Sequence, residues 1–169
     1  MTLKTIRSGG QNGADIGGVR AAKKSGKVQY CGTMPNGFRT LDGPKPEYAA
    51  EFNMAEHSSP NYPPRTYENV KVSDGTIRLA VNINSAGERC TLKAINQYGR
   101  PYFDVHIQSV SSFALPPECH PSAAAKWIVE NNIAHLNVAG NSEQTAPGIE
   151  AYVERYITAL INEVEKLSK

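Results

Sequence analysis

Ser8-Gly9-Gly10-Gln11-Asn12-Gly13-Ala14-Asp15 decides the fold. A β-like run, Leu3-Lys4-Thr5-Ile6-Arg7, leads into it. A helix-like run over residues 14–25 leaves it and stops at Gly26. A strand that breaks into glycines and restarts as a helix gathers backbone N–H groups at the positive end of a helix dipole, which favours an anion. The stretch therefore reads either as the floor of a site for a phosphorylated ligand or as a tight strand-to-helix turn. It is not a P-loop, because no Gly-Lys-Ser/Thr closes it. It is not a dinucleotide fingerprint, because the glycines fall as G-G-x-x-G and no acid ends the next strand-like run, residues 27–31.

Outward from this stretch, strands and helices alternate about five times. In the first helix Ile16, Val19 and Ala22 share a face, and Gly17, Gly18 and Ala21 allow close approach to a sheet. The stretch 32–64 is different, with six prolines and three glycines, so it cannot be continuous helix or sheet. It reads as an ordered lid-like insertion over residues 33–64, tied down by Phe38, Tyr48, Phe52 and Tyr62, with a short helix over 47–57; a solvated insertion is the alternative. A short helix over 65–70 capped by Thr66, a buried strand over 76–83, a loop over 84–88, a helix over 90–98 and a strand over 102–107 follow. Residues 108–118 carry no clear signal, a helix opens at Pro121, and His135-Leu136-Asn137-Val138-Ala139 is the last strand. The final helix has the strongest periodicity: Ile149, Tyr152, Val153, Tyr156, Ile157, Leu160, Ile161, Val164 and Leu167. Most of that face belongs to the core, and Tyr152 and Tyr156 are expected to extend it to a subunit interface. The pattern gives an α/β fold: one doubly wound, mostly parallel sheet with helices on both faces.

Length and composition agree. At 169 residues and 40% hydrophobic, the chain fits one domain spanning 1–169 with a good core. A net charge of +2 with interspersed signs points to no nucleic-acid partner and no membrane surface. Cys31, Cys90 and Cys119 are far apart and form no CxxC pair, no secretory leader stands at the start, and no apolar run approaches a membrane span, so a cytoplasmic location is expected.

Ligands of such sheets bind outside the carboxyl ends of the strands. Three polar loops leave such ends: 8–15, 84–91 and 140–146. The candidate binding residues are Ser8, Gly9, Gly10, Gln11, Asn12, Gly13, Asp15, Arg39, Arg65, Asp74, Gly87, Gly140, Asn141 and Ser142. Gln11 and Asn12 suit a polar ring edge or a phosphate, and Asp15 either contacts ligand or caps its helix. Arg65 suits a phosphate or carboxylate, or else forms a surface ion pair with Glu68 or Glu56, and Arg39 is similar. Asp74, before Gly75, is a turn residue or a ligand contact. Glu88 is the weak catalytic candidate, read otherwise as a solvated loop charge. The histidines are scattered, so no metal site is indicated, and no G-x-S-x-G elbow signals a nucleophile.

The same loops carry a resemblance. Residues 8–15 resemble the SGGQTGxD opening of the molybdenum cofactor carrier family, and Pro35-Asn36-Gly37-Phe38-Arg39 with Asp42-Gly43 is similar to its PKGRRAEDG. Tyr62, Arg65-Thr66, Asn69-Val70, Ser73-Asp74, Leu136 to Gly140 and Pro147-Gly148-Ile149 continue it in order along nearly the whole chain. The resemblance implies a Rossmann-like fold of the lonely-guy and DNA-processing protein A group, a homo-oligomer (dimer or tetramer), and a phosphorylated small-molecule ligand, with molybdenum cofactor (molybdopterin) as the family's cargo. It implies a non-enzymatic carrier, with a nucleotide hydrolase cleaving an N-glycosidic bond, or a nucleotide sensor, as the alternatives. The chain departs from the family at Asn12, Leu41, Ala86-Gly87-Glu88 (family GGT) and Ala139-Gly140-Asn141-Ser142 (family AGPRES, with its arginine lost). An acid at Glu88 is expected to repel a phosphate beside it. Arg65→Ala is expected to weaken anion binding at nearly constant melting temperature.

Overall fold

The computed structural model describes residues 2–169. β1 (Thr5–Ser8) runs through the glycine loop into α1 (Ala14–Ser25) and returns as β2 (Gln29–Met34). Two short strands, β3 (Arg39–Thr40) and β4 (Gly43–Pro44), form a small hairpin, followed by α2 (Tyr48–Phe52), β5 (Met54–Glu56) and α3 (Tyr62–Lys71). Then come β6 (Gly75–Ala80), α4 (Ala86–Tyr98), β7 (Tyr102–His106), α5 (Pro121–Glu130), β8 (His135–Gly140) and α6 (Ile149–Leu167). Six strands form one sheet in the order β5-β2-β1-β8-β6-β7, and every neighbouring pair is parallel. The last strand in sequence thus fills the place beside β1, next to the point where the winding reverses.

The two faces of the sheet differ in chemistry because side chains alternate along each strand. Ile6, Ile77, Leu79, Leu136 and Val138 point into the main core under α1, α5 and α6. Their alternates Thr5, Arg7, Thr76, Arg78 and Asn137 lie under α3 and α4, whose own apolar cluster is small: Val70, Ala94 and Ile95 with Tyr67 and Tyr98. A sheet with one apolar and one polar buried face needs hydrogen bonds on the second, and it has them. Arg7 Nε donates to Asn69 Oδ1 (3.1 Å), and Asn69 in turn bonds the Thr33 backbone through both its amide groups. Arg78 makes a two-pronged contact with Asp104 (2.8 and 2.6 Å).

Several elements differ from the sequence reading, each for a local reason. β5 is an edge strand of three residues inside the proline-rich stretch, too short to show a period. That stretch also builds the end of β2, the hairpin and α2, so much of it is regular structure. α3 begins before both prolines: Asn61 is its N-cap and Pro63 and Pro64 stand in the first turn, where N–H groups are not used. Thr66 is therefore not a cap; its hydroxyl donates back to the Tyr62 carbonyl (3.2 Å). The expected loop over 84–88 is only half loop: Asn84 and Ser85 precede α4, which Ser85 caps, and Ala86, Gly87 and Glu88 form its first turn. In α6, Tyr152 and Tyr156 are buried in the core and do not reach a surface, and Tyr156 Oη donates to the Cys119 carbonyl (2.7 Å). Leu167, by contrast, is exposed. The other large apolar residues of that helix are buried, each aliphatic one worth roughly 1.5–3 kcal/mol.

Candidate functional site

The glycine loop is held from within. Gly10 N–H donates to Ser8 Oγ (3.3 Å), Gln11 N–H to Asp15 Oδ2 (3.1 Å) and Asn12 N–H to Gln11 Oε1 (3.1 Å). The Gly9 N–H also reaches Asp15, and Ala14 N–H donates to the Asn141 carbonyl (3.1 Å). The N–H groups of Gly10, Gln11, Asn12 and Ala14 are thus taken by the chain itself. Gln11 Oε1 also accepts from Leu41 N–H (2.8 Å), and Asn12 Nδ2 donates to Asp42 Oδ2 (2.7 Å), which docks the β3–β4 hairpin onto the loop. Gly13 stands at φ 113°, and a Cβ there would meet the Asn141 carbonyl oxygen at 2.6 Å, so only glycine allows this loop to pack against the end of β8.

Two of the donors at the amino end of α4 are free among the described residues. Ser85 takes the Glu88 N–H with its hydroxyl (3.4 Å) and the Arg89 N–H with its carbonyl (3.0 Å). The N–H groups of Ala86 and Gly87 are left without an acceptor among the described residues, as first-turn donors are unless something caps them. Asn141, 2% exposed, fixes this turn: its Oδ1 accepts from Val81 N–H (2.8 Å) and Asn82 N–H (2.9 Å), and its Nδ2 donates to the Asn82 carbonyl (2.9 Å) and Ser85 Oγ (3.4 Å).

A cavity of about 400 Å³ lies at the carboxyl ends of β1, β8 and β6. Gln11 and Asp15, Leu41 of the hairpin, Tyr62, Pro63, Arg65 and Thr66 of α3, Ser85 to Glu88, Cys90 and Thr91 of α4, and Ala139 to Ser142 line it. Among the described residues, Arg65 supplies its only cationic side chain. The guanidinium lies over the Tyr62 ring (5.6 Å), donates from Nη1 to Thr66 Oγ1 (2.6 Å) and stands 3.9 Å from Asp15 Oδ2, with Nε buried and unpartnered. Gly9 leaves the space the guanidinium occupies. Burial raises the pKa of Asp15, opposed by Arg65 and by the N–H groups of Gln11 and Gly9.

Glu88 is 2% exposed and its Oε2 has no partner. Burial pushes its pKa up to about 8; the Arg78 guanidinium pulls it down, and the Asp15 and Asp104 carboxylates push it further up. Arg78 is committed to Asp104 and to the Glu88 carbonyl (3.1 Å), so it does not pair with the Glu88 carboxyl. Glu88 is therefore not a solvated loop charge. Burial favours its un-ionised form, and the residue lines the cavity.

A family model described as the circularly permutated YpsA SLOG family matches residues 6–161. The chain belongs to that family. Among solved structures, a crystal structure of a protein from Syntrophus aciditrophicus SB named "putative molybdenum carrier protein" is similar, with 27% identity, a TM-score of 0.77, and coverage of 96% of this chain and 95% of that one. Comparison with curated proteins gives no match. The Rossmann-like sheet is the one the resemblance implied, and in this SLOG chain the last strand, β8, supplies a wall of the cavity.

Of the predicted site residues, Gln11, Asp15, Arg65, Gly87, Glu88, Gly140, Asn141 and Ser142 come together around the cavity. Ser8, Gly9, Gly10, Asn12 and Gly13 build the loop behind it. Arg65 is not a surface ion pair with Glu68 or Glu56; its carboxylate neighbour is Asp15. Asp15 does not cap α1, whose N-cap is Gly13, but turns back to the loop. Arg39 is exposed, donates to the Pro60 carbonyl (2.8 Å) and does not line the cavity. Asp74 stands at the amino end of β6, opposite the cavity, where it accepts from Ala134 N–H (3.0 Å) and His135 N–H (2.8 Å) as a turn residue. Sequence reasoning missed Cys90, Thr66 and Tyr62 as lining residues. It also missed Asn69, one helical turn after Arg65, whose Nδ2 donates to the Arg65 carbonyl (2.9 Å). No group of three or more His, Cys, Asp and Glu able to hold a metal ion occurs among the described residues, and no described helix is long and apolar enough to cross a membrane.

Proposed function

We propose that the cavity binds a phosphorylated, nucleotide-like small molecule and that the protein is a non-enzymatic carrier, with molybdenum cofactor as its cargo. The observation that carries this reading is the pair of free N–H groups at Ala86 and Gly87, in one cavity with the single cation Arg65. A helix N-terminus with open donors favours a phosphoryl group, and a guanidinium matches its oxygens. At about 400 Å³ the cavity is within the usual range for small-molecule sites of roughly 300–1,000 Å³, with room for a ring system against Leu41, Tyr62 and Pro63. The name of the Syntrophus aciditrophicus relative supports the choice of cargo. The metal would arrive on the cargo, since the chain offers no ligand cluster among its described residues. The phosphoryl seat is assigned to the amino end of α4 because Ala86 and Gly87 line the cavity beside Arg65, whereas the Gly10, Gln11 and Asn12 N–H groups are bonded within the glycine loop.

The test is to purify the native protein, extract its small molecules, identify them by mass spectrometry and measure metal in parallel. A phosphorylated pterin with molybdenum or tungsten is the expected result. A nucleotide without metal would replace the carrier reading with a sensor. One observation favours the hydrolase as the second reading: Glu88 is a buried acid whose pKa is pushed up to about 8, in one cavity with Asp15, and so suited to proton transfer at a glycosidic bond. Release of free base from a panel of nucleoside monophosphates, abolished by Glu88→Gln, would establish it. The family resemblance also leads us to expect a homo-oligomer, which light scattering on the eluted peak measures directly.

A further inference from the structure

Glu88 occupies the third position of α4, and Ser85-Ala86-Gly87-Glu88 has the spacing of a capping box. In a closed box the acid at this position reaches back to the N-cap N–H, across the first turn of the helix. Here only half of the box is made. The Ser85 hydroxyl takes the Glu88 N–H, but the Ser85 N–H donates to the Asn82 carbonyl (3.4 Å), and the Glu88 side chain is turned inward. Its Oε2 is buried and unpartnered, and Glu88 lines the cavity together with Ala86 and Gly87. A buried polar atom left without a partner is costly, and a carboxyl in acid form has one proton to give.

We propose that Glu88 is a specificity-determining donor of the cavity: its carboxyl, in the acid form, gives a hydrogen bond to a phosphoryl oxygen held at the amino end of α4. The inference rests on the reading that the cavity takes a phosphorylated ligand. It turns the apparent obstacle of an acid beside a phosphate into a contact, and it makes binding depend on one proton. The groups around Glu88 do not compete for that role. Arg78 on β6 and Asp104 on β7 bond each other, Asp15 on α1 bonds the glycine loop and has Arg65 of α3 beside it, and burial pushes the Cys90 thiol of α4 above its usual range. The ligand's phosphate is fully ionised above about pH 7, given a second pKa near 6, so its own titration ends below the relevant window.

The experiment is calorimetric titration of the wild-type chain and Glu88→Gln with AMP and GMP from pH 6.5 to 9.5, in buffers of different ionisation enthalpy. For the wild type the affinity is expected to be level below pH 8 and to fall about tenfold for each pH unit above about 8, with proton uptake approaching one per ligand bound. Glu88→Gln keeps an N–H donor and is expected to give a flat profile with no proton uptake. Parallel profiles for the two proteins, or wild-type binding above pH 8 without proton uptake, overturn the proposal. Wild-type affinity that rises with pH also overturns it and makes Glu88 an ionised acceptor for ring N–H groups instead. Failure of both nucleotides to bind the wild type at any pH removes the phosphorylated-ligand reading itself, and this inference with it. Proton uptake is read on the wild type alone, so the outcome stands even where the variant folds poorly.

Discussion

Replacing Asn141 with alanine tests whether one side chain shapes the amino end of α4. Its Oδ1 is shared by Val81 and Asn82 N–H, and its Nδ2 bonds the Asn82 carbonyl and the Ser85 hydroxyl. An orphaned buried donor costs about 1–3 kcal/mol. Val81 and Asn82 are themselves partly open to solvent, so each N–H is taken at the low end, about 1 kcal/mol, and the lost Nδ2 bonds add about 1 kcal/mol more. The sum is about 3 kcal/mol, a fall in Tm of about 6–12 °C for a chain of this size. Urea denaturation with the slope held fixed measures it. Ser85→Ala alone should cost about 1 kcal/mol as a lost cap. The double variant should cost less than the sum, because the two side chains share a contact. A cost below about 0.5 kcal/mol for Asn141→Ala, within the range of ordinary surface changes, would refute the reasoning: the turn would then hold its shape without this residue.

Three further outcomes are expected. Arg65→Ala should lose stability as well as phosphate binding, by about 1–3 kcal/mol in urea denaturation, because it strips the only cation from beside buried Asp15; an unchanged Tm would return Arg65 to a purely ligand-facing role. Glu88 keeps its proton in the native state when the unfolded chain has already released it, so its contribution is present below its unfolded pKa near 4.5 and is lost as pH rises to about 8, by at most about 1.4 kcal/mol per unit. Comparing wild type and Glu88→Gln at pH 5 and pH 8 should show a smaller decline in the variant, and equal declines would mean that Glu88 is ionised in the fold. Asn69→Ala removes the acceptor of Arg7 and the clamp on the Thr33 backbone, and should cost about 2–4 kcal/mol in the same assay.

The elements with a clear period were legible. The bounds of α1 match the expected 14–25, and the apolar stripe of α6 is buried up to Val164. The all-parallel sheet follows from the alternation of strands and helices. What stayed hidden depends on side chains turning away from their commonest roles. Asp15 reads as a helix-opening acid, yet it bends back and, with Ser8 and Gln11, takes the N–H groups of Gly10, Gln11 and Asn12. Glycine at position 87 made 84–88 look like loop, although the S-x-x-E spacing from Ser85 to Glu88 was a helix-start signal in plain view. The burial of Glu88 could not be read from a residue type that is almost always exposed. Asn141 was singled out as a ligand contact, but its four hydrogen bonds make it a clamp on the turn that presents Ala86 and Gly87. Asp74 and Arg39 lie away from the cavity, Asp74 at the amino end of β6 and Arg39 exposed and bonded to the Pro60 carbonyl.

The phosphoryl group is expected to sit at the amino end of α4. Amide chemical-shift mapping of the 15N-labelled protein at pH 7 during titration with GMP measures that directly. The expected result is large, saturable shifts at Ala86 and Gly87 together with the Arg65 Nε–H, and small ones at Gly10, Gln11 and Asn12, whose donors are already bonded. Shifts centred on the glycine loop, with α4 silent, would contradict it and return the anion seat to α1.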